Sequence, residues 1–326
     1  MKVLVTGGLG YLGGRICKYL ASRNFELLIG TRNAAGAERP PWLEKGRFVN
    51  FDLRNLKAET FDSLERVDAI VHLAALNEID CAADPLAAIE VNTLATKKLI
   101  DLSNGHSARF IYFSTAHVYG SPLQGRLHEE LITRPVHPYA YTHRFSEDLV
   151  LASVGREIKD AAVLRLSNGF GAPDRPDVNR WTLLVNDLCE QLVNTGAMKL
   201  KGDGSSLRDF ITLHDVAAAT EHFLRLAGFD SYPVYNVGSG VSQSVWQMAI
   251  LVGQEYASMM GQSNPPAIHR EIQKMDGAIE LTPMHFDIHK LSKSGFRLSG
   301  DVGQEIRDTL HVSVLRKEKQ NKRAKV

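Results

Sequence analysis

The chain has 326 residues, of which 44% are hydrophobic and 23% charged, and its formal net charge is +1. This composition is typical of a globular protein, and the length predicts one large domain with an appended lobe, because a single core stops growing near this size. A net charge near zero, with neither a basic stripe nor a stacking platform, argues against nucleic acid as a partner.

The cysteines and the apolar runs bear on the cellular compartment. Cys17, Cys81 and Cys189 show no paired spacing, so we expect them to be small core residues in a reducing environment. The sequence begins directly on a strand, and it contains no run of about 18 apolar residues that would cross a membrane. We therefore expect a cytoplasmic protein with no signal peptide and no membrane contact.

The first predicted elements are a strand, a turn and a helix. An apolar run over 3–5 is followed by Gly7, Gly10 and Gly13, and residues 15–20 continue with helical spacing. The first glycine permits a tight turn, the second lets the backbone approach a pyrophosphate, and the third lets the helix pack against the strand. The N-terminus of the helix offers free N–H groups to that phosphate. Because a second strand follows at the expected distance, we predict a dinucleotide site rather than an ordinary glycine-rich turn.

Apolar strands alternate with helical patterns through the first half of the chain. The predicted strands are residues 2–6, 26–30, 47–51, 69–74, 108–113 and 161–166. Helices are predicted over 85–103 and from about 138 to 151. This alternation indicates an α/β fold, a doubly wound parallel sheet with helices on both faces. Beyond residue 166 prolines and glycines punctuate shorter elements, as in a lobe around a substrate, and the basic segment 316–326 is expected to be a frayed terminus.

Several motifs occur in a recognisable order along the chain. They are Thr6-Gly-Gly-Leu-Gly-Tyr-Leu-Gly13, Asp52-Leu53, His72-Leu-Ala-Ala75, Asn92, Ser114-Thr-Ala-His-Val-Tyr-Gly120, Pro138-Tyr139, Leu164-Arg-Leu-Ser-Asn168 and Arg208-Asp-Phe-Ile-Thr-Leu-His-Asp215. With them the chain, up to about residue 240, resembles the extended short-chain dehydrogenase/reductase family, in particular its nucleotide-sugar epimerases, dehydratases and reductases. The resemblance implies a Rossmann-type domain that binds NAD or NADP over 1–166, with returning segments at about 208–240. It also implies a smaller C-terminal substrate-binding lobe, 167–207 and 241–326, that holds a nucleoside-diphosphate sugar.

The end of the second strand bears on the choice of cofactor. An acidic residue there would bind the ribose 2′-hydroxyl of NAD, whereas this chain has Thr31 and Arg32. No carboxylate repels a 2′-phosphate and the planar guanidinium of Arg32 matches one, so NADP(H) is favoured over NAD(H), unless this arginine lies on a solvated loop without a ligand. The resemblance implies further cofactor contacts from the glycine turn to the nicotinamide: Gly7, Gly10, Tyr11, Leu12, Gly13, Asp52, Leu53, Ala74, Ala75, Asn92, Tyr139 and His143.

The chemistry is expected at Thr115 and Tyr139. A sugar hydroxyl that loses a hydride to a nicotinamide must also lose its proton, and a phenol can exchange that proton. In the family a tyrosine does so, a serine or threonine at the end of the fifth strand binds the same oxygen, and a lysine four residues after the tyrosine lowers its pKa. By resemblance Thr115 is the hydroxyl and Tyr139 the tyrosine of this set.

The position of the lysine departs from the family pattern. Four residues after Tyr139 stands His143, and the alternative register from Tyr141 reaches Phe145. Residues i and i+4 share one face of a helix, so His143 is expected beside Tyr139, where it would carry a fractional charge near neutrality. His143 then acts as a weaker cation and ribose contact, helped by Arg144 or by the nicotinamide charge. Otherwise the enzyme is slow or works best below neutral pH, or the chain binds a dinucleotide without catalysis.

The residues after Thr115 bear on the type of reaction. Dehydratases of the family carry Asp-Glu directly after the threonine, whereas this chain has Ala116 and His117, so dehydration is disfavoured. Epimerases and 4-keto reductases both need only the threonine and the tyrosine, and the preference for NADP favours reduction. His117 is either an additional proton donor toward the sugar or an ordinary loop histidine.

The second half of the chain is expected to contact the substrate. By resemblance, Asn168 binds a diphosphate or sugar oxygen and Arg208 neutralises the diphosphate. Three further residues are assigned structural roles. Asp209 is expected to orient a loop or pair with a cation, Asp215 to cap a helix over 216–226, and Asn236 to form a turn near the substrate.

Other functional classes are disfavoured by missing patterns. His285 and His289 lie four apart, as two ligands on a helix would, but no third ligand is near them in the sequence, so we expect no metal. The G-x-S-x-G elbow of serine hydrolases is missing. Reduction of a non-sugar ketone stays open, although Arg208 argues against it. The resemblance also implies a homodimer formed by the helices at 85–103 and 138–152.

Overall fold

The computed structural model of the chain describes residues 1–57, 59–60, 64, 66–103, 108–271 and 282–323. Within these ranges a central sheet contains the strands β1 (Lys2–Thr6), β2 (Glu26–Thr31), β3 (Gly46–Asn50), β4 (Ala69–His72), β5 (Arg109–Thr115), β7 (Asp160–Leu166) and β11 (Val234–Val237). They lie in the order β11-β7-β5-β4-β1-β2-β3, and each pairing is parallel. The predicted parallel sheet is therefore confirmed, with one strand, β11, that the sequence analysis did not predict.

Helices cover both faces of this sheet. They are α1 (Tyr11–Ser22), α2 (Glu78–Ala83), α3 (Pro85–Ala88), α4 (Ala95–Ser103), α5 (Pro138–Ala152), α6 (Leu184–Thr195), α7 (Leu213–Arg225), α8 (Val245–Met259), α9 (His289–Lys293) and α10 (Val302–Arg323). Val3 and Val5 of β1 share one core with residues of α1 and α7, whereas Leu4 shares another core with residues of α4 and α5. This alternation follows from the period of two in a strand, and it confirms the doubly wound architecture.

The predicted helix over 85–103 contains an irregularity. Between α3 and α4 the chain forms a π-helical turn, Ile89–Leu94, in which hydrogen bonds span one residue more than in an α-helix. Asn92 lies in this turn and is buried. Such turns redirect single side chains, and the sequence carries no local signal for this one.

The lobe has its own core. Its short strands are β8 (Asn168–Phe170), β9 (Met198–Leu200), β10 (Leu207–Thr212), β12 (Ser242–Ser244) and β13 (Ile268–Arg270). Two further short strands, β6 (Arg126–Leu127) and β14 (His285–Phe286), pair with each other. Apolar residues of α6, α8 and α10 pack together around Leu188, Met248 and Ile306. The expectation of a frayed tail was wrong as far as Arg323, because α10 extends to that residue and Lys317 donates a hydrogen bond to the Val193 carbonyl of α6.

The last described helix also contacts the first. Arg15 of α1 forms a bidentate ion pair with Glu305 of α10, with distances of 2.6 and 3.1 Å, and donates to the carbonyl of Ala172. Gly171 lies against the Glu305 carboxylate with a φ of +144°, and a Cβ at this position would collide with that carboxylate. Glycine is therefore required where the lobe meets α1.

Two structural assignments made from the sequence were wrong. The cap of α7 is Thr212, whose hydroxyl oxygen accepts from the backbone N–H of Asp215, so Asp215 is not the cap but the third residue of the first turn. Asn236 does not form a turn but lies buried in β11. Its side-chain amide donates to the carbonyls of Leu127 and Asp287, which satisfies a polar group inside the sheet.

Three further expectations concern thiols, membranes and metals. The three cysteines are buried free thiols. Across the described part of the chain, no helix is both long enough and apolar enough to cross a bilayer. His285 and His289 do not share a helix, because the first lies in β14 and the second begins α9.

Candidate active site

The glycine turn forms a cradle between β1 and α1, next to the end of β4. Gly7 has a φ of +69°, and a Cβ at this position would lie 3.0 Å from the backbone N and Cα of Ala74. A Cβ on Gly13 would collide with the carbonyl oxygen of Gly7. Gly10 is exposed, and it begins α1 without a side-chain cap or an acidic residue in the first turn. The helix N-terminus is thus open to an anion, as a pyrophosphate group requires.

The residues directly after Gly10 have divided roles. The side chain of Tyr11 is buried, and its hydroxyl donates to the carbonyl of Gly171 at 3.0 Å and contacts the side chain of Asn186 in α6. This side chain therefore ties the turn to the lobe, and contact with a cofactor is left to the backbone N–H. Leu12 is half-buried and packs against the core beneath β1.

The residues at the ends of β2 and β3 lie at the carboxyl edge of the sheet. Thr31 pairs with Asn50 there, and its carbonyl accepts from the Phe51 N–H, so the segment containing Asp52 is close by. The carboxylate of Asp52 accepts the Arg54 N–H, and Leu53 is buried beneath it.

The side chain of Arg32 differs from its neighbours in being exposed and uncommitted. Within the described part of the chain it has neither a hydrogen bond nor an ion pair. A guanidinium just beyond the carboxyl end of β2, with no carboxylate partner among the described residues, fits a phosphate group.

The sheet order reverses between β1 and β4, which is where parallel sheets of this kind bind ligands. Ala74 lies against Gly7 and its N–H donates to the hydroxyl of Thr6, while Ala75 is exposed to the cleft. Asn92 is buried. Its side chain accepts the Leu76 N–H at 2.7 Å and donates to the Thr142 hydroxyl at 3.2 Å. Asn92 therefore fixes the segment after β4 to α5, and its contact with a cofactor stays a prediction.

Tyr139 and His143 share the inner face of α5. Their rings meet edge to face, with 4.5 Å between centroids and an interplanar angle of 69°. Tyr141 is 36% exposed and Phe145 is 54% exposed on the opposite face, so the interval that starts at Tyr139 is the one that faces the cleft. Among the described residues the phenolic oxygen of Tyr139 has no hydrogen-bond partner, which leaves it free for a ligand.

Thr115 ends β5 at the same edge of the sheet. Its hydroxyl oxygen accepts the N–H of His117, and its side chain is buried. This bond does not use the hydroxyl proton, which has no acceptor within the described ranges, so Thr115 retains a donor for a substrate oxygen.

The electrostatic state of His143 differs from the prediction. Its Nδ1 lies 2.8 Å from the Tyr112 hydroxyl, and its buried Nε2 has no hydrogen-bond partner among the described residues. Burial lowers the pKa of His143 to about 4, against the weaker opposing effect of the Phe113 carbonyl. Burial also raises the pKa of Tyr139 to about 12. The imidazole is therefore neutral at pH 7, and the fractional charge expected from the sequence is missing.

A neutral buried histidine makes stability depend on pH. The unfolded chain binds the His143 proton near pH 6.5 and the folded chain near pH 4, so stability is complete above about pH 6.5 and falls as the pH drops toward 4. His72, whose pKa burial lowers to about 3, acts in the same direction. Between pH 7 and 4.5 the free energy of unfolding of the wild type should fall by about 2 to 3 kcal/mol more than that of His143→Gln, as measured by urea unfolding. The exposed His269→Gln should behave as the wild type does. An unchanged pH dependence in His143→Gln would mean that His143 is charged in the folded protein.

A buried ion pair holds α5 against the sheet. Glu147 accepts two hydrogen bonds from Arg165 of β7, at 3.0 and 2.8 Å, and a third from Ser114, the neighbour of Thr115. Arg165 also donates to the hydroxyl of Tyr119. Both charges are fully buried, so this network fixes Tyr139 relative to Thr115.

The lobe side of the cleft is positively charged. Arg208 of β10 is half-buried and, within the described ranges, has no carboxylate partner, and burial lowers its pKa. The pKa of His117 is lowered by burial and by the charge of Arg208. The side-chain amide of Asn168 donates to the Asp209 carbonyl at 2.9 Å, and its oxygen has no hydrogen-bond partner among the residues that the structure describes. The carboxylate of Asp209 accepts hydrogen bonds from the N–H and the hydroxyl of Ser239 and so orients this loop, which is one of the two roles predicted for it.

One pair of residues at the cleft was missed by the sequence analysis. Glu78 at the start of α2 and Arg180 of the lobe lie 3.3 Å apart at their nearest atoms, and the charges of both influence Tyr139. Glu78 follows the Ala74-Ala75 motif by only three residues, and this spacing was its only signal. Arg180 lies in the stretch from 173 to 200, which contains no motif.

The glycine turn and the side chain of His143 fit a nicotinamide dinucleotide. A Cβ at Gly7 or Gly13 would crowd the neighbouring backbone, so these glycines permit the tight turn that leaves Gly10 and the start of α1 open to a pyrophosphate. The Nε2 of His143, which has no partner among the described residues, can bind a ribose hydroxyl.

Comparison with known proteins gives a consistent assignment. The sequence model of the "NAD dependent epimerase/dehydratase family" matches residues 3–238. The low-salt glycan biosynthesis protein Agl12 of Haloferax volcanii is 32% identical over 259 residues, which cover 75% of this chain and 79% of that protein. GDP-6-deoxy-D-mannose reductase of Pseudomonas aeruginosa is 29% identical over 260 residues, 77% of this chain and 79% of the reductase.

Solved structures share the fold. The UDP-N-acetylglucosamine 4-epimerase of Methanobrevibacter ruminantium, solved with UDP-N-acetylmuramic acid, superposes with a TM-score of 0.79 at 22% identity, over 96% of this chain and 98% of that one. Other proteins with this fold have been solved with NAD and with NADPH. The sequence match over residues 3–238, the parallel sheet and the glycine cradle agree, and the chain belongs to the NAD dependent epimerase/dehydratase family.

Proposed function

We propose that the chain is an NADP-dependent enzyme that reduces or epimerises a nucleoside-diphosphate sugar by hydride transfer at a sugar carbon. The observation that supports this most directly is the phenol of Tyr139, which has no hydrogen-bond partner among the described residues and lies on the helix that Glu147 ties to Ser114, the neighbour of Thr115. In this proposal residues 1–166 and about 208–240 hold the cofactor, and 167–207 and 241–326 hold the sugar nucleotide. The enzyme acts in the cytoplasm, which fits its free buried thiols.

Tyr139 exchanges the proton that accompanies hydride transfer. A bound nicotinamide cofactor supplies the hydride donor or acceptor. Because burial raises the pKa of Tyr139 to about 12, the phenol is protonated at neutral pH, which is the form that donates a proton to a carbonyl oxygen. Thr115 donates a hydrogen bond to the same oxygen. The protonated phenol favours 4-keto reduction over epimerisation, because the latter must begin by removing a proton.

The surroundings of Thr115 argue against dehydration. Elimination of a sugar hydroxyl needs a nearby acid and base, and Ala116 and His117 offer no carboxylate. Burial and the Arg208 charge lower the pKa of His117, so it is neutral and at most donates a hydrogen bond to the sugar.

The diphosphate of the substrate is assigned to the lobe. Arg208 is a half-buried guanidinium without a carboxylate partner in the described ranges, so an anionic ligand would restore a favourable pairing. The free amide oxygen of Asn168 accepts a hydrogen bond from a sugar hydroxyl. The unpaired charge of Arg208 is also why a non-sugar ketone is the less favoured substrate.

The test is an assay with a panel of UDP-, dTDP- and GDP-sugars and their 4-keto derivatives. A reductase consumes NADPH in proportion to a 4-keto sugar nucleotide, whereas an epimerase interconverts ordinary sugar nucleotides with no net loss of NADPH. Conversion of neither substrate class would contradict the proposal. NADPH binding without turnover would support a dinucleotide-binding protein, which the neutral His143 favours as the second candidate.

The choice of cofactor depends on Arg32. We expect Arg32→Glu to weaken NADPH binding by about 10- to 100-fold, because a charge-assisted hydrogen bond contributes about 1.5 to 3 kcal/mol, and to leave NADH binding within a few-fold. Arg47→Glu is the matched control, since Arg47 is exposed on β3 near its amino end. Fluorescence titration of each protein measures the affinities. Equal weakening of NADPH and NADH binding would show that Arg32 does not recognise the 2′-phosphate.

A homodimer is proposed through α3 to α5. Large apolar residues are exposed on this surface, and Leu86, Leu94 and Phe145 are 74%, 56% and 54% exposed. Burying such a patch is the usual reason for its presence. We expect Phe145→Asp to convert the dimer to a monomer in sedimentation, while Val241→Asp, an equally exposed apolar site on the lobe, leaves it dimeric. A wild-type monomer would contradict this part of the proposal.

A further inference from the structure

A buried hydrogen bond joins Tyr112 of β5 to His143 of α5. Side chains alternate along a strand, so Tyr112 shares a core with residues of α5, whereas Phe113 belongs to the opposite core. The Tyr112 hydroxyl lies 2.8 Å from Nδ1 of His143, and the two rings contact each other with 5.9 Å between centroids. The two residues are 2% and 4% exposed, so this bond is shielded from water.

The chemistry of the two groups decides which of them donates. A phenol, with an ordinary pKa of about 10, is a good donor, and a neutral imidazole nitrogen is a better acceptor than a phenol oxygen. Within the described ranges no carboxylate contacts His143, and burial keeps its imidazole uncharged at neutral pH. Tyr112 therefore donates to Nδ1, and the single N–H of the neutral ring lies on Nε2.

His72 shows how a buried histidine is satisfied at both nitrogens. Its Nδ1 lies 2.6 Å from the Thr6 hydroxyl, which already accepts two backbone N–H groups and therefore donates. Its Nε2 lies 2.9 Å from the Thr96 hydroxyl, which donates its own proton to the Asn92 carbonyl and therefore accepts. His72 is thus also an Nε2–H tautomer, and each of its nitrogens has a partner.

His143 differs from His72 at Nε2. This atom is buried and has no hydrogen-bond partner among the residues that the structure describes. An unpaired N–H inside a protein is costly, which indicates that a ligand oxygen accepts from it. The ring of Tyr139 lies directly beside the imidazole, so a ligand bound there would lie next to the phenol that exchanges the proton.

We propose that Tyr112 is a positioning residue for cofactor binding, because it fixes the tautomer of His143. His143 then takes the place of the family's lysine as a neutral donor, with its Nε2–H directed to a ribose oxygen of the cofactor. A lysine would offer three rotating donors and a charge, whereas this imidazole offers one N–H in a fixed direction. The inference rests on the proposed function for its ligand.

The first test observes the tautomer itself, without cofactor or turnover. In protein with nitrogen-15 histidine, long-range proton–nitrogen NMR spectra distinguish Nε2–H, Nδ1–H and doubly protonated rings, and His143→Gln assigns the signal. The wild type at neutral pH should show only the Nε2–H form of His143. Tyr112→Phe removes the donor to Nδ1 and should give a mixture of both neutral tautomers. His72 should keep its Nε2–H form in the same spectrum and so serves as an internal control.

Three results of this test would overturn the proposal. An Nδ1–H form of His143 in the wild type would mean that the Phe113 carbonyl, and not Tyr112, determines where the proton lies. A doubly protonated ring would mean that His143 is a cation. An Nε2–H form that is unchanged in Tyr112→Phe would mean that Tyr112 does not fix the tautomer. None of these results depends on turnover of a sugar nucleotide, so they are distinct from a failure of the proposed function.

The second test measures NADPH binding by fluorescence titration. Tyr112→Phe should weaken binding by about 2- to 10-fold, the range of one neutral hydrogen bond. His143→Leu lacks the donor altogether, so in that background Tyr112→Phe should add a loss of less than about 2-fold. Equal losses from Tyr112→Phe in both backgrounds would show that Tyr112 acts only on packing, and would overturn the proposal.

Tyr235→Phe is the matched control for both tests. It removes an equally buried phenol hydroxyl from β11, where the Tyr235 oxygen accepts the Asp230 N–H at 3.4 Å. This variant should keep the wild-type affinity for NADPH and the wild-type tautomer of His143. A loss equal to that of Tyr112→Phe would attribute both effects to the removal of any buried hydroxyl, and would contradict the role proposed for Tyr112.

Discussion

Tyr139→Phe is expected to lower kcat by about 100- to 10,000-fold, the contribution typical of a positioned proton donor. The ring that packs against His143 is retained, so NADPH should bind with unchanged affinity. The measurement is NADPH consumption with the best sugar nucleotide of the panel, together with NADPH titration by fluorescence. Tyr141→Phe removes the same hydroxyl from the exposed face of α5 and should leave both values unchanged.

Two results of this experiment would contradict the assignment. Full activity in Tyr139→Phe would transfer proton donation to another group, and His117 would be the first to examine because its backbone N–H donates to the hydroxyl of Thr115. A similar loss in Tyr141→Phe would mean that the role of proton donor has been assigned to the wrong tyrosine of α5.

Arg165→Met should destabilise the protein by about 3 to 5 kcal/mol, because it leaves the fully buried carboxylate of Glu147 without its partner. The double replacement Arg165→Met with Glu147→Leu removes both charges and should recover most of this loss. Urea unfolding measures each protein. Lys97→Met removes an exposed ion pair of α4 with Asp101 and should change stability by less than about 1 kcal/mol.

The relative stabilities of Arg165→Met and the double replacement distinguish an unpaired charge from a loss of packing. If the double replacement were no more stable than Arg165→Met, the loss would come from packing or from the bond to Tyr119 rather than from an unpaired charge. A small effect of Arg165→Met would mean that Glu147 takes up a proton when its partner is removed.

The sheet was predictable because its strands are apolar and follow one another in sequence. The run from Val3 to Val5 is buried on both faces, which a strand between two layers of helices requires. The strand β11 was missed because Asn236 gives Val234–Val237 the local character of a turn. Its amide is satisfied by carbonyls of Leu127 and Asp287, which are 109 and 51 residues away, and no local pattern contains that information.

The motifs predict a site that includes the glycine turn, Thr115 and Tyr139, and this assignment stays a prediction. The electrostatic state of the site was not predictable. The charge of His143 depends on burial against Tyr112, and the burial of Asn92 depends on a π-helical turn. The Glu78 and Arg180 pair joins residues 102 positions apart. Each of these features follows from contacts made only after the chain has folded.

The ion pair between Arg15 and Glu305 joins residues 290 positions apart. During synthesis the glycine turn leaves the ribosome early, yet the carboxylate that anchors its helix is made 290 residues later. Closing so long a loop is slow compared with forming the neighbouring strands. The nascent chain therefore carries an unfinished nucleotide cradle through most of its translation, and the cradle reaches its final surroundings only when α10 docks.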